Sequence, residues 1–151
     1  MDNIKVVRYD PTNQAIFLST CGKKSGEVKI YTSQTLDQVM SFPQYALGPV
    51  SFICASSKNR RLRMIGHERG ILKLIAVDSL KVEAIYQIDL QEGELLTTGV
   101  YSPSGLNFAV GTSYGTVYLG NFKKDNYGRN IMRMSKLHGL TLTQDNAVTS
   151  I

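Results

Sequence analysis

The sequence of 151 residues contains no tryptophan, two cysteines and two histidines. Two cysteines, Cys21 and Cys54, are too few for a disulfide framework, and they lack the Cys-x-x-Cys spacing of a zinc site. His67 and His138 lie far apart in the sequence and form no metal-binding motif. We therefore expect no metal and no other cofactor. Both cysteines lie in apolar strand-like segments, so we interpret them as small buried residues.

Long apolar runs are also absent. No segment approaches the ~18 consecutive apolar residues of a membrane-spanning helix, and the first residues do not form the apolar stretch of a signal peptide. These absences predict a cytoplasmic chain without membrane insertion. Hydrophobic residues make up 42% of the chain, which is enough for a buried core and excludes a disordered polymer.

Charged residues are scarce, at 19% of the chain, which excludes a coiled coil or a long charged helix. Lys and Arg together number 17 against 12 Asp and Glu, so the formal net charge is +5. This basic excess permits an acidic partner but does not require one.

Three segments share one pattern, a glycine followed by alternating branched apolar residues. Their first residues, Gly26, Gly70 and Gly115, are 44 and 45 residues apart. An apolar strand precedes each segment, at 15–18, 62–65 and 107–110, and another follows it, at 38–42, 82–86 and 131–134. Repetition at a fixed period of this length is typical of repeat architectures.

Each copy is predicted to contain four short strands joined by turns. No segment keeps a helical period over three turns, so no helix is predicted. A four-stranded unit every 40 to 45 residues or so is typical of a β-propeller blade. We therefore predict an all-β chain, a β-propeller fragment of three four-stranded blades at residues 1–44, 45–93 and 94–141. Residues 142–151 are expected to form the first strand of a further blade.

The stretch 101–119 resembles the WD-repeat family. It contains an aromatic-Ser-Pro-x-Gly turn at 101–105, a strand of small residues that ends at Thr112, and a hairpin at Gly115. The Trp-Asp dipeptide that names the family is replaced in the three copies by Tyr31-Thr32, Ile75-Ala76 and Gly120-Asn121. The aspartate of the hairpin is replaced by Ser25, Arg69 and Tyr114. The resemblance therefore implies that the family's His-Ser-Trp-Asp network is largely missing, and that apolar packing holds the blades together instead.

The third strands give the sharpest structural expectations. Alternating positions in these strands should be mostly buried, because they pack against neighbouring blades. These positions are Val28, Ile30, Leu72, Leu74, Val117 and Leu119. The hairpin glycines Gly70 and Gly115 should have a positive φ or approach other backbone closely. Because three blades do not close a ring, both end blades should expose apolar faces, which further sequence or another chain would cover.

The sequence contains no complete catalytic motif. His67 could act as a base with Cys54 or Glu68, but no nucleophile elbow or oxyanion signature accompanies it, so a structural histidine is favoured. The glycine-bearing stretch 111–116 links strand to strand without opening a helix, so it predicts a hairpin rather than a phosphate-binding loop. We expect no catalytic residues and no enzyme activity.

Two basic clusters are the strongest binding signal. One lies at the turn between the first two strands of the second blade, where residues 58–63 carry four cations. The other fills the turn between the last two strands of the third blade. Turns of these two types emerge on the same face of a propeller, so the clusters could form one positive patch with few acids to neutralise it. The candidate partner-binding residues are Lys58, Arg60, Arg61, Lys123, Lys124, Tyr127 and Arg129. The alternative interpretation is that these are ordinary solvated turns.

The resemblance implies a non-catalytic scaffold segment that mediates protein–protein interactions in a multi-subunit complex. Cytoskeletal and ciliary assemblies are its expected setting. The alternative is a module that binds nucleic acid or another acidic surface through the basic loop face. Acidic protein surfaces are preferred to nucleic acid as partners. A propeller enzyme ranks last.

Overall fold

The computed structural model describes residues 3–11, 14–21, 26–43, 48–56, 58–59, 61–79 and 81–136. These residues form three four-stranded antiparallel sheets, which confirms the predicted all-β propeller fragment. The predicted limits of the blades stay predictions, and the strand expected at 142–151 lies outside the described residues. In the described part of the chain, no helix is long and apolar enough to span a membrane.

Each sheet is one blade, and its strands neighbour one another in chain order. Blade 1 contains β1 (Asn3–Asp10), β2 (Ala15–Cys21), β3 (Gly26–Thr32) and β4 (Gln38–Pro43). Blade 2 contains β5 (Val50–Ala55), β6 (Leu62–His67), β7 (Ile71–Ala76) and β8 (Val82–Gln87). Blade 3 contains β9 (Leu96–Tyr101), β10 (Asn107–Thr112), β11 (Val117–Lys124) and β12 (Asn130–Lys136). The first strands meet, since β5 packs against β1 on one side and β9 on the other.

Blade 2 is covered on both faces by its neighbouring blades. Successive residues of a strand point to opposite sides of the sheet, so each strand contributes side chains to both faces. We call the side that a blade turns toward the next blade in chain order its forward face, and the opposite side its backward face. The backward face of blade 2 packs Ile53, Ile65 and Ile75 against blade 1. The forward face packs Met64, Leu72 and Leu74 against blade 3. The two hydrophobic cores therefore lie between blades.

An aromatic ring packs directly against the backbone between blades 2 and 3. The ring of Phe52 covers Gly66 in its own sheet and reaches Gly99 in blade 3. A Cβ atom added at either glycine would lie within about 2.3 Å of the ring. Since real Cβ contacts are not this short, the two sheets approach closely only because both positions are glycine.

The third strands confirm most of the burial expectations. Val28, Ile30, Leu72 and Leu74 are buried. Val117 is only half-buried, and the expectation for Leu119 is wrong, since it is 41% exposed. These two positions lie on the forward face of blade 3, which no described residue covers. Tyr118 points to the backward face and is buried against blade 2 instead.

The backward face of blade 1 is the second open face. Val7 is 60% and Tyr9 55% exposed there. In the pairing of β1 with β2, Val7 lies opposite Leu18 and Tyr9 opposite Ile16, so these four apolar residues share one side of the sheet. Within the described residues, both end blades therefore expose apolar faces, as the sequence predicts.

The hairpin glycines have the predicted backbone conformation. Gly70 has a φ of 87° and Gly115 a φ of 75°. At Gly70 space is limiting as well, because an added Cβ would lie 2.7 Å from the carbonyl oxygen of Ile88. Gly128 has the same φ as Gly115, but nothing lies within 4 Å of its Cβ position.

These two glycines separate backbone strain from steric clash. Gly128→Ala should lower the free energy of unfolding by about 1 kcal/mol, because only the left-handed conformation is penalised. Gly70→Ala should lower it by about 2–4 kcal/mol, because the added methyl group also meets the Ile88 carbonyl. Urea unfolding measures both values. Equal losses in the two variants would show that the close approach at Gly70 has no energetic consequence.

Candidate interaction surface

One edge of the three sheets carries the turns that join first to second strands and third to fourth strands. We call the described residues of three turns (56, 58–59 and 61 in blade 2, and 102–106 and 125–129 in blade 3), together with Lys123 and Lys124 at the end of β11, the basic rim. Ser56, Asn59, Gly105 and the two lysines line one recess of about 230 Å³ between blades 2 and 3. The predicted basic clusters of blades 2 and 3 therefore meet on one face.

Lys58 belongs to this group, because its Cβ lies against the turn of blade 3, 2.9 Å from the Cβ position of Gly105. Among the described residues, Lys58, Lys123 and Lys124 form no ion pair, and all three are exposed. Arg60 lies outside the described residues. The site retains three lysines around one recess.

Two predicted site residues are neutralised within the chain, so the expectation of a patch with too few acids is wrong for them. Arg61 donates from Nε to Asp78 at 3.1 Å and from Nη2 to Glu83 at 3.0 Å. Arg129 donates from Nε to Asp125 at 2.7 Å. The partners of Arg61 are distant in sequence and are brought to it by the pairing of β6, β7 and β8.

Tyr127 presents its ring to solvent and is 84% exposed. The guanidinium carbon of Arg129 lies 5.3 Å from the centre of this ring, which is a cation–π contact. The carboxylate of Asp125 accepts hydrogen bonds from the backbone N–H groups of Tyr127 and Arg129, at 2.9 and 2.8 Å. Asp125 thereby fixes the backbone of the turn that carries Tyr127.

A buried ion pair lies next to the rim turn of blade 2. Arg63 of β6 and Asp10 of β1 are 1% and 2% exposed, and Arg63 Nε donates to Asp10 Oδ2 at 2.9 Å. The Nη1 group of Arg63 donates to the carbonyl of Leu62 at 2.7 Å. In the sequence, Arg63 belongs to the run of cations at the turn, but its side chain points inward to blade 1. Strand alternation was the available signal, since it places Arg63 on the same side as the buried Ile65.

Polar side chains also fix the rim turn of blade 2 locally. The hydroxyl oxygen of the buried Ser56 accepts hydrogen bonds from the backbone N–H groups of Lys58 and Asn59, at 3.2 and 3.1 Å. The side-chain oxygen of Asn59 accepts from the N–H of Arg61 at 3.1 Å. These hydrogen bonds fix the backbone at Lys58, Asn59 and Arg61.

The opposite edge contains polar links that the sequence did not reveal. The buried Glu94 accepts a hydrogen bond from the Thr112 hydroxyl at 2.6 Å and another from the N–H of Gln91 at 2.9 Å. His67, at the corresponding position of β6, has its Nδ1 atom 3.1 Å from the Gly48 carbonyl. Apolar packing alone is thus an incomplete account of blade stability, because these contacts link strand ends to the loops between blades.

The candidate catalytic residues are kept apart. His67 pairs with Val50 at one end of β5, whereas Cys54 pairs with Met64 toward the other end. Cys54 faces the core between blades 2 and 3, and burial raises the pKa of its thiol to about 12. The thiol is therefore protonated and poorly nucleophilic at neutral pH.

The remaining motifs behave as local structure. The stretch 111–116 is a strand-to-strand hairpin, in which the Gly115 N–H donates to the Thr112 carbonyl at 3.2 Å. Cys21 lies at the end of β2, and His138 falls outside the described residues. Within the described ranges, no three His, Cys, Asp or Glu side chains group closely enough to hold a metal ion.

Removing one partner of the buried ion pair should be costly. Asp10→Asn leaves Arg63 charged and buried without its counter-ion, so we expect the free energy of unfolding to fall by about 3–5 kcal/mol. Asp78→Asn is the matched control, because it removes a carboxylate from an exposed pair and should cost under about 1 kcal/mol. Denaturant unfolding of both variants checks this, and losses of similar size would contradict the role of burial.

His67 should make stability depend on pH. Burial lowers the pKa of His67, and the nearby charge of Lys73 acts in the same direction, against the hydrogen bond with Gly48. The unfolded chain, with a histidine pKa of about 6.5, therefore binds the proton more tightly than the folded chain. The free energy of unfolding should fall as the pH drops below about 6.5.

His67→Thr is the control for this pH dependence, because threonine occupies the corresponding positions in β2 and β10 and does not titrate. Unfolding is measured in urea at several pH values between about 7.5 and 5.5. The variant should lose the part of the pH slope that His67 contributes. A wild-type chain with the same slope as His67→Thr would contradict the inference.

Comparison with known proteins places the chain by fold. No protein-family model matches it, and no curated protein sequence matches it. Among solved structures, the crystal structure of the β-propeller domain of Cps50 (Swd1) from Myceliophteria thermophila superposes with a TM-score of 0.67 at 13% sequence identity. The match covers 93% of this chain and 40% of that one, so the chain spans less than half the length of its structural neighbour. The fold described here is thus that of part of a β-propeller.

Proposed function

We propose that this chain is a non-catalytic, WD-repeat-type scaffold segment that docks acidic protein segments on its basic rim. The observation that carries the proposal is the recess between blades 2 and 3. Lys123 and Lys124 line it, and Lys58 lies beside it on the turn of blade 2. Three exposed lysines without acidic partners among the described residues favour a negatively charged partner.

The recess also has an apolar part. Leu62, Leu74, Tyr101 and Phe122 contribute to its lining, and Leu106 stands exposed at its border. Sites that combine an apolar lining with a few polar or charged groups fix both the orientation and the identity of a ligand. The fitting partner is a protein segment with an apolar side chain for the recess and acidic residues beside it.

The proposal of a non-catalytic role is supported by the use of the reactive groups. Cys54 lies in a core, and His67 contacts a backbone carbonyl. Both contacts are structural. Only the resemblance of the sequence supports a place in a cytoskeletal or ciliary assembly, which stays a prediction.

A second candidate is nucleic-acid binding on the same rim. The exposed ring of Tyr127 favours it, because such rings stack on unpaired bases. The cation beside the ring weighs against nucleic-acid binding, since Arg129 already pairs with Asp125. A strong phosphate-binding surface would need more unpaired cations than these three lysines.

Charge reversal tests the proposal. The double variant Lys123→Glu/Lys124→Glu should bind poly-glutamate at least ~10-fold more slowly than the wild type at low salt, because rim charges mainly set association rates. Its melting temperature should not change, since both side chains are exposed. Arg69→Glu is the control, because Arg69 is exposed on the turn between β6 and β7 at the opposite edge.

Poly-glutamate and a short single-stranded DNA are compared as probes at about 50 and 200 mM salt. Preference for poly-glutamate that the double variant loses supports protein docking. Preference for DNA with a steep salt dependence supports the second candidate. Unchanged binding in the double variant contradicts both uses of the rim.

A further inference from the structure

We propose that a recess between blades 1 and 2 binds an aromatic side chain of the same protein segment that docks on the basic rim. The described residues leave a volume of about 480 Å³ open there, between Ile30 of blade 1 and Val77 of blade 2. We call it the blade 1–2 recess, and we call the recess beside Lys123 and Lys124 the lysine recess. The inference rests on the proposed function, because it names a second anchor for the same partner.

The two recesses are built from the same repeat positions. Four residues that line the blade 1–2 recess are Ala15, Ile30, Val77 and Asp78. The residues at the corresponding positions one blade further on line the lysine recess, and they are Leu62, Leu74, Phe122 and Lys123. In each recess, the first two of the four residues belong to one blade and the last two to the next.

Side-chain size explains why the blade 1–2 recess is the larger one. The lysine recess has a volume of only about 230 Å³. Ala15 takes the place of Leu62, and Val77 takes the place of Phe122. In the second interface, the ring of Phe122 packs with its centre 4.8 Å from that of Phe108. Val77 supplies no ring, so the blade 1–2 recess lacks the aromatic group that blade 3 contributes to the other.

An aromatic side chain from a partner fits this difference. Ile30 is buried in the recess, Met40 is partly buried, and Val39 lines it while 58% exposed. Recesses of several hundred Å³ with an apolar lining and a few polar groups are typical of ligand sites. Aromatic side chains bury large apolar areas and dominate the energetics of protein interfaces. A ring from the partner would therefore fill the space that Phe122 fills between blades 2 and 3.

The backbone beside the recess is held in a strained form. Among the described residues, the positive-φ positions that are not glycine are Gln14, with a φ of 48°, and Leu36, with a φ of 58°. Gln14 lines the recess, and its carbonyl accepts a hydrogen bond from the N–H of Ser33 at 2.8 Å. Its side-chain oxygen accepts another from Gln34 at 2.8 Å. Strain of this kind persists where the surroundings fix it, and it clusters at binding sites.

The charges at the blade 1–2 recess differ from those at the lysine recess. Arg61 is the cation among the described lining residues, and it already pairs with Asp78 and Glu83. Asp78 also stands where the lysine recess has Lys123. Acidic groups of a partner are therefore attracted to the lysines and not to this recess. The aromatic residue of the partner should be separated from its acidic stretch by uncharged residues.

One turn of blade 2 lies between the two recesses. Arg61 lines the blade 1–2 recess, whereas Asn59 and Leu62, on either side of it, line the lysine recess. Both recesses therefore open along the same edge of the sheets. A segment held at the lysines can reach the blade 1–2 recess, and binding there is then an intramolecular step.

Synthetic peptides test the second anchor. Each carries a leucine and several glutamates for the lysine recess, and a flexible glycine–serine linker of about ten residues, which spans roughly 17 Å on average. The linker ends in phenylalanine or, in the control peptide, in alanine. It is attached before the acidic stretch in one pair of peptides and after it in a second pair, so that both chain directions are tested.

Fluorescence polarisation of the labelled peptides measures affinity. In one of the two directions, the phenylalanine peptide should bind at least ~10-fold more tightly than its alanine control, because the linked anchor acts at high effective concentration. This ratio should be the same at about 50 and 200 mM salt, since the ring carries no charge. The affinity of both peptides should fall at the higher salt concentration.

Filling the recess from within the chain is the sharpest variant. Val77→Phe should abolish the advantage of the phenylalanine peptide, leave binding of the alanine peptide unchanged and not lower the melting temperature. Val39→Asp, at an exposed position, should also remove the advantage without unfolding the chain. Ile85→Phe is the control, because Ile85 is 56% exposed on β8 of the same blade and does not line the recess. This variant should keep the advantage.

The outcomes separate this inference from the proposed function. Lys123→Glu/Lys124→Glu should weaken the phenylalanine and alanine peptides alike, whereas Val77→Phe acts on the former alone. If the alanine peptides bind and phenylalanine adds nothing in either direction, the second anchor is wrong and the rim stands. Absence of binding by every peptide overturns both. An advantage that persists in Val77→Phe and Val39→Asp, or self-association of the chain that Val77→Phe removes, would overturn the assignment of this recess to a partner's ring.

Discussion

The ion pair between Asp10 and Arg63 is the contact on which the arrangement of the blades depends most. It joins the first strand of blade 1 to the second strand of blade 2, and both side chains are almost completely removed from solvent. Taking two charges out of water costs several kcal/mol, so such a pair is tolerated only in one well-formed geometry. Arg63 also donates to the carbonyl of Leu62, beside the turn that bears Lys58. The same guanidinium group therefore fixes the contact between two blades and the base of the basic rim.

The two faces of each sheet explain the rest of the packing. Blade 2 has both faces covered, whereas blades 1 and 3 have one covered face each among the described residues. At the edge opposite the rim, Glu94 with Thr112 and His67 with Gly48 connect strand ends to the loops between blades. These contacts join strand ends to loops at an edge for which the sequence predicted apolar packing alone.

The sequence predicted the features that depend on local pattern. Alternating apolar residues located the strands, the spacing of Gly26, Gly70 and Gly115 located the blades, and hairpin position predicted the left-handed conformation of two of these glycines. The exposure of Leu119 could not be predicted in this way. Its pattern equals that of Leu74, and the difference is whether another sheet covers the forward face.

Ion pairs between residues distant in the chain also could not be predicted from the sequence. Arg61 lies in a run of cations, and its partners Asp78 and Glu83 reach it only through the pairing of three strands. Arg63 lies in the same run but belongs to the interior, because strand β6 has begun one residue before it. The predicted basic patch is therefore reduced to three lysines, Lys58, Lys123 and Lys124. Arg61 pairs with Asp78 and Glu83 instead, and Arg63 pairs with Asp10 in the interior.

A double-mutant cycle on Asp10 and Arg63 tests most directly whether this ion pair holds blades 1 and 2 together. The single variants Asp10→Ala and Arg63→Ala and the double variant are unfolded in urea, and their free energies of unfolding are compared. If the pair acts as described, each single variant loses about 3–5 kcal/mol, and the double variant loses little more than either one, because no unpaired buried charge is left. Additive losses, with a coupling energy near zero, would contradict the account.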